Sequence, residues 1–239
     1  MEVNLFKLMI KGIIFDFDGV IIDSENKSVK DNIKFLKENG LENPNIDEVK
    51  ALVGTTDIDN YKYMQKVLNI SYEEAKYKLE EYILAHPYVA SELVYPEIYK
   101  LLEKVHGKIK TAIASNSPYA YVSSMLHDGS LEKYFQYVIS GRDLGSHKPD
   151  PTIYLHTAKV IGINPDECLV VEDSPNGIEA GKRAGMTVVG RYDDFLQLDV
   201  SKADYIIKNI SEIKDILIKE GVLQWLELLL RVMEILLQD

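Results

Sequence analysis

Short β-branched and aromatic runs alternate with amphipathic helical stretches along most of the chain, and four of those runs lead into polar clusters. Ile10 to Phe17 reads as a buried strand stopped by the turn Asp16-Phe17-Asp18-Gly19. Further strands are predicted at Lys110 to Ala114, Tyr137 to Ser140, Leu169 to Val171, Thr187 to Val189 and Tyr205 to Ile207. A helix is predicted over Ser24 to Gly40, with Val29, Ile33 and Leu36 on one face, Ser24 as N-cap and Gly40 at C′. A second covers Asn176 to Ala184. Strands alternating with helices make a parallel sheet covered on both faces. Asp47 to Ser91 stays helical, with Tyr, Lys, Glu and Leu at helical spacing. The expected fold is therefore α/β, a Rossmann-like parallel sheet core (residues 1–23 and 92–239) with an inserted small all-α domain (residues 24–91).

Composition narrows the function classes. Lys plus Arg number 27 and Asp plus Glu 38 in 239 residues, a net charge of −11. That balance argues against a grip on nucleic-acid phosphates and against docking on anionic lipid. No window of 18 uncharged apolar residues occurs, and the Leu5 to Val20 stretch is broken by Lys7, Lys11, Asp16 and Asp18. Neither a membrane span nor a signal peptide is expected. Cys168 is the single cysteine, which excludes an intramolecular disulfide and any Cys-rich zinc site and points to the cytoplasm.

The polar clusters are Asp16-Phe17-Asp18-Gly19, Ser115-Asn116-Ser117, Lys148-Pro149-Asp150-Pro151 and Glu172-Asp173-Ser174. Ligands of open α/β sheets bind beyond the carboxyl ends of the strands, so the four can converge. Asp16 and Asp18, two apart, share one face of an extended chain. With Glu172 and Asp173 they bring together carboxylates that need a cation, and an all-oxygen set favours Mg²⁺. The Ser115 hydroxyl, the turn amides and the Lys148 charge suit a phosphoryl group. One Asp can attack phosphorus while the other protonates the leaving oxygen. Each cluster has an ordinary reading as well: Ser-Asn-Ser-Pro as a turn and cap, Asp150-Pro151 as an N-cap and N1 pair, Glu172-Asp173 as a solvated strand end. Asp57-Ile58-Asp59 repeats the Asp-x-Asp spacing in helical text and is assigned no catalytic role. The conjunction of four clusters in order favours the catalytic reading.

Together the clusters resemble the four motifs of the haloacid dehalogenase superfamily. The runs Gly12 to Glu25 (GIIFDFDGVIIDSE) and Val170 to Met186 (VVEDSPNGIEAGKRAGM) are similar to its β-phosphoglucomutase and small-molecule phosphatase branch. The resemblance reaches to about residue 207. It implies Asp16 as nucleophile and metal ligand, and Asp18 as general acid/base with its backbone carbonyl on the metal. It implies Ser115 and Asn116 as phosphate-binding residues, and Lys148 as a brace for nucleophile and phosphate. Asp173, helped by Glu172, would complete the Mg²⁺ site. The insert, roughly Ser24 to Ser91, resembles a helical cap. Dehalogenase members lack the second Asp, so the presence of Asp18 favours phosphoryl chemistry.

Two departures bear on the reaction. Asp57 stands where the mutase carries an arginine for a second phosphate, and Ser28 where it carries a histidine. Both favour a phosphatase acting on a small phosphorylated metabolite over a phosphosugar mutase. Lys27 and Lys30 lie near the position of the cap lysine in phosphonate-cleaving members and carry little weight. A non-catalytic binding protein would not need both Asp16 and Asp18. The cap tyrosines Tyr61, Tyr63 and Tyr88 line a pocket or pack the cap. Leu223 to Leu237 is apolar except for a narrow stripe of Gln224, Glu227, Arg231 and Glu234 that continues to Gln238. It has two readings, a homo-oligomer interface or a helix lying across the sheet.

Overall fold

The computed structural model describes residues 10–220. The Leu223–Leu237 segment and the two readings given for it lie outside the described residues. The described chain divides into two compact units, Asp23–Leu93 and the flanking chain up to Ile22 and from Val94.

The flanking chain carries six strands: β1 (Gly12–Phe15), β2 (Lys110–Ser115), β3 (Tyr137–Ser140), β4 (Cys168–Glu172), β5 (Thr187–Arg191) and β6 (Tyr205–Ile207). They form one parallel sheet in the order β3-β2-β1-β4-β5-β6. The chain builds outward from β1 in one direction and from β4 in the other, so the β1/β4 boundary is the topological switch point. Gly12 pairs with Lys110 on one side and Cys168 on the other. Ile13, Ile14 and Phe15 are wholly buried, as are Leu169, Val170 and Val171, because both faces of the central strands are covered. Each such side chain contributes roughly 1.5–3 kcal/mol by burial.

The first strand is shorter than its apolar run. Asp16 N still donates to Val171 O at 2.8 Å, but Phe17 O turns inward to accept Ile21 N at 2.9 Å, which closes the turn. β4 is longer than predicted and keeps Glu172 fully buried inside the strand, which excludes the solvated strand end.

The helices of this unit are α6 (Pro96–Val105), α7 (Tyr119–Asp128), α8 (Gly141–Leu144), α9 (Thr152–Ile161), α10 (Pro175–Arg183) and α11 (Ile213–Lys219). α6 buries Ile98, Leu101, Leu102 and Val105, an i, i+3, i+4, i+7 stripe. α10 opens with Ser174 as N-cap, its Oγ accepting Gly177 N at 3.0 Å, and with Pro175 at N1. α9 starts one residue later than Asp150-Pro151 suggests. Pro151 is the N-cap, and Asp150 Oδ1 accepts Thr152 N at 2.8 Å from outside the helix.

The Asp23–Leu93 unit is helical: α1 (Ser24–Glu38), α2 (Ile46–Lys50), α3 (Asp57–Leu68), α4 (Tyr72–Ala85) and α5 (Ala90–Leu93). Phe35 and Tyr82 meet edge to face at 5.4 Å, and Lys78 Nζ donates to Asn39 Oδ1 at 3.2 Å, so α4 packs along α1. Ser24 is already the first helical residue. The N-cap is Asp23, whose Oδ1 accepts Asn26 Nδ2 at 2.7 Å rather than a backbone amide. Gly40 follows the helix at φ +94°, as expected of a C′ glycine. Asp59 forms a capping box with Thr56, so the second Asp-x-Asp is a helix start.

Candidate active site

Asp16 leaves the end of β1, the Glu172-Asp173 pair closes β4, and the two strands flank the switch point. Phe17, wholly buried, packs edge to face on Tyr121 at 6.0 Å. Anchoring Phe17 in the core fixes the turn between Asp16 and Asp18. The side-chain oxygens of Asp16, Glu172 and Asp173 lie within 4.8 Å of one another, and all three residues are buried.

Lys148 reaches into this group from the loop before α9. Its Nζ donates to Asp16 Oδ1 at 2.5 Å and to Glu172 Oε1 at 2.6 Å, with the lysine side chain 3% exposed. Its backbone N donates to Asn116 Oδ1 at 3.2 Å, tying the loop to the cluster after β2. In that cluster Ser115 Oγ accepts Ser117 N at 2.9 Å, and Ser117 Oγ donates to Asp18 Oδ2 at 2.5 Å. The four polar clusters of the sequence are thus joined by direct hydrogen bonds, with Ser115 included through its own turn.

Glu172 is engaged through both of its oxygens. Besides Lys148, its Oε1 accepts Tyr154 Oη at 2.7 Å, and its Oε2 accepts Asp173 N at 3.1 Å, Ser174 N at 3.2 Å and Ser174 Oγ at 3.0 Å. A Cβ on Gly177 would stand 1.8 Å from Glu172 Oε1, so the start of α10 leaves room for this carboxylate. A Cβ on Gly19 would stand 1.9 Å from Asp173 Oδ2, and Gly19 itself has φ +70°. The Asp18 carboxylate stands outside the three-carboxylate group, turned to Ser117.

Burial pushes the Asp16 carboxyl well above the usual carboxylate range, with Glu172 and Asp18 adding to it and Lys148 opposing. Burial pulls the Lys148 ammonium down, but Asp16 and Glu172 outweigh it and hold the group above its ordinary value. Burial, then the Glu172 and Asp16 charges, keep Tyr154 a neutral phenol. When ionised, three carboxylates against one ammonium leave an excess of two negative charges in a buried site. Hard oxygen donors with that excess fit a divalent cation such as Mg²⁺.

Two partners escaped the sequence reading. Tyr154 holds Glu172 and sets its ring 5.0 Å from Lys148 Nζ, and Ser117 holds Asp18. Tyr154 sits among apolar residues at helical spacing and looks like core. Ser117 is within a cluster that was singled out, but nothing in the spacing says which of its two serines meets Asp18.

The chain matches the haloacid dehalogenase-like hydrolases over residues 13–191 and belongs to that family. It is 32% identical over 203 residues to the phosphoglycolate phosphatase of Aquifex aeolicus, covering 84% of this chain and 93% of the relative. It is 31% identical to the phosphorylated carbohydrates phosphatase of Thermotoga maritima, over 74% of this chain and 82% of that protein. The crystal structure of β-phosphoglucomutase from Clostridium difficile shares the fold at a TM-score of 0.67 and 23% identity, covering 91% of this chain and 99% of that one. Among the described residues no helix is long and apolar enough to cross a membrane.

Proposed function

We propose that this protein is a Mg²⁺-dependent phosphatase that hydrolyses a small phosphomonoester through an aspartyl-phosphate on Asp16. The observation that carries the reading is Lys148 Nζ seated between Asp16 and Glu172, at 2.5 and 2.6 Å, in a buried carboxylate cluster. The lysine orients Asp16 Oδ1, and an Asp16 carboxylate oxygen attacks phosphorus as the bond to the leaving oxygen breaks. Asp18 gives that oxygen a proton. Asp18 then takes a proton from water, whose oxygen attacks the phosphorus of the aspartyl-phosphate. Breaking the Asp16–phosphorus bond yields inorganic phosphate and restores the carboxylate. Ser115 accepts a turn amide and keeps its hydroxyl proton to donate, and Asn116 accepts Lys148 N and keeps its Nδ2 donors. These groups, with Lys148, bind the phosphoryl oxygens. Asp16, Asp173 and the Asp18 carbonyl would hold Mg²⁺, with Glu172 bracing them, and the ion would supply neutralisation of the phosphoryl charge.

The Asp23–Leu93 unit is, in this reading, the cap that selects substrate. The phosphoglycolate and phosphorylated-carbohydrate phosphatases among the relatives support a sugar phosphate or similar metabolite. A cytoplasmic setting belongs to the same reading, as does independence from nucleic acid and membrane. Phosphosugar mutation is disfavoured because Asp57 and Asp59 open α3, where a second phosphate would need a cation. Lys27 is occupied: its Nζ donates to Asp31 at 2.5 Å and lies 5.4 Å from the centre of the Tyr88 ring, which weakens a phosphonate-cleaving role.

The test is phosphate release from a panel of phosphorylated metabolites, with and without a chelator, for wild type and Asp16→Asn. Turnover should need Mg²⁺ and vanish in the variant. Turnover of p-nitrophenyl phosphate by Asp16→Asn would refute the covalent route. β-Glucose 1-phosphate with a trace of the bisphosphate, followed by ³¹P NMR, separates the two reactions. Conversion to glucose 6-phosphate without phosphate release would establish the mutase.

A further inference from the structure

We propose that Arg191 is a positioning residue for the reaction, resting on the phosphatase reading: it clamps the turn that carries Asp18 and packs on Asp173. Arg191 ends β5, on the far side of β4 from Asp16, and is 8% exposed. Its Nη1 donates to Gly19 O at 2.8 Å. Its guanidinium carbon lies 4.2 Å from the centre of the Tyr95 ring, and its Nη2 is 3.7 Å from Asp193 Oδ2. None of these partners belongs to the catalytic set, yet a buried charge held by three groups is a fixed point.

What Arg191 fixes is the peptide one residue beyond the second catalytic aspartate, in a turn that lies against Asp173. Gly19 follows Asp18 directly, and its α-carbon approaches Asp173 too closely for any side chain. Holding Gly19 O fixes the Gly19–Val20 peptide, while Gly19 N, donating to Ile22 O, fixes the adjoining Asp18–Gly19 peptide whose carbonyl is the backbone group assigned to Mg²⁺, so Arg191 anchors the turn in which that carbonyl is set. The turn is stitched internally by Gly19 N to Ile22 O at 2.9 Å and Ile21 N to Phe17 O at 2.9 Å. Those bonds shape the turn but do not tie it to β5. Arg191 does, and through Tyr95 it also grips the returning chain, where Tyr95 N donates to Ile21 O at 3.1 Å. One side chain therefore braces both passages of chain at this end of the sheet.

The test compares wild type, Arg191→Gln and Arg191→Lys as full-length protein, by hydrogen exchange and by kinetics with p-nitrophenyl phosphate. In Arg191→Gln the amides of residues 19–22 should exchange at least about tenfold faster, with β1 and β4 unchanged. kcat should fall about 10- to 100-fold while KM moves less, and the Mg²⁺ concentration for half-maximal rate should rise. Arg191→Lys keeps the charge but cannot both reach Gly19 O and stack on Tyr95, so it should fall between the two and serves if the glutamine variant does not fold. Unchanged exchange at residues 19–22 overturns the proposal whatever the activity. So does faster exchange with wild-type kcat and Mg²⁺ dependence, or a lysine variant equal to wild type in every readout. A wild type inert toward phosphomonoesters counts against the phosphatase reading, and the exchange measurement then decides the clamp by itself.

Discussion

Ser117 Oγ donates to Asp18 Oδ2 at 2.5 Å, joining side chains 99 positions apart in the chain. The bond makes the turn after β2 a holder for the proposed proton-transfer group as well as the proposed phosphate site. Hydrogen bonds to charged groups contribute about 1.5–3 kcal/mol, which corresponds to roughly 10- to 100-fold in rate when orientation is what they secure. Ser117→Ala should therefore lower kcat about tenfold or more with little change in KM, as steady-state kinetics will read. A variant with wild-type kcat would remove Ser117 from the machinery.

Lys148 is the counter-charge of the carboxylate cluster. Lys148→Met leaves Asp16 and Glu172 facing each other at 11% and 0% side-chain exposure with no cation between them. Breaking a buried pair from one side costs about 3–5 kcal/mol, so the melting temperature without metal should drop by about 10 °C. Mg²⁺ should recover part of that loss, and calorimetric scans with and without the ion will show it.

Gly177→Ala tests the space under Glu172. The added methyl would stand 1.8 Å from Oε1, so the carboxylate must move and Lys148 must lose a partner. Alanine is the better helix former by about 1 kcal/mol, so an ordinary helix site would gain stability from this change. Here activity should fall by about an order of magnitude or more, and melting temperature should fall with it.

Cys168 opens β4 fully buried, its Sγ donating to Asn164 O at 3.4 Å. Burial, with Glu167 and Asp166 nearby, pushes the thiol up to about 12. At pH 8 the thiolate is then about one part in ten thousand, and a disulfide reagent should label the folded protein very slowly. Labelling should follow unfolding by denaturant. The stability linked to this thiol is complete below its ordinary value near 8.5 and is lost as pH rises toward 12.

The sheet and its polar strand ends were legible because the strands are short apolar runs, four of which lead into polar clusters. Asp16 and Asp18 could be told from Asp57 and Asp59 by context alone. The first pair ends a β-branched run; the second precedes helical spacing, and Thr56 with Asp59 caps that helix. Tyr154 and Arg191 were not legible, since a tyrosine in an amphipathic helix and an arginine after a strand have no periodic signature. Their roles come from the strand order, which sets β4 between β1 and β5. Boundaries moved by a residue at Ser24 and Pro151, where the backbone conformation rather than the residue type decided the cap.

The Asp23–Leu93 unit departs after Ile22 and rejoins at Val94, and those two residues pair with each other in an isolated antiparallel bridge. The departure and the return thus meet at one bridge. Anything spliced between them, long or short, helical or not, meets the same two anchors and leaves the threading of the six strands untouched. If the insert selects substrate as proposed, selectivity can be rewritten by recombination at a single locus while the carboxylate cluster is inherited whole.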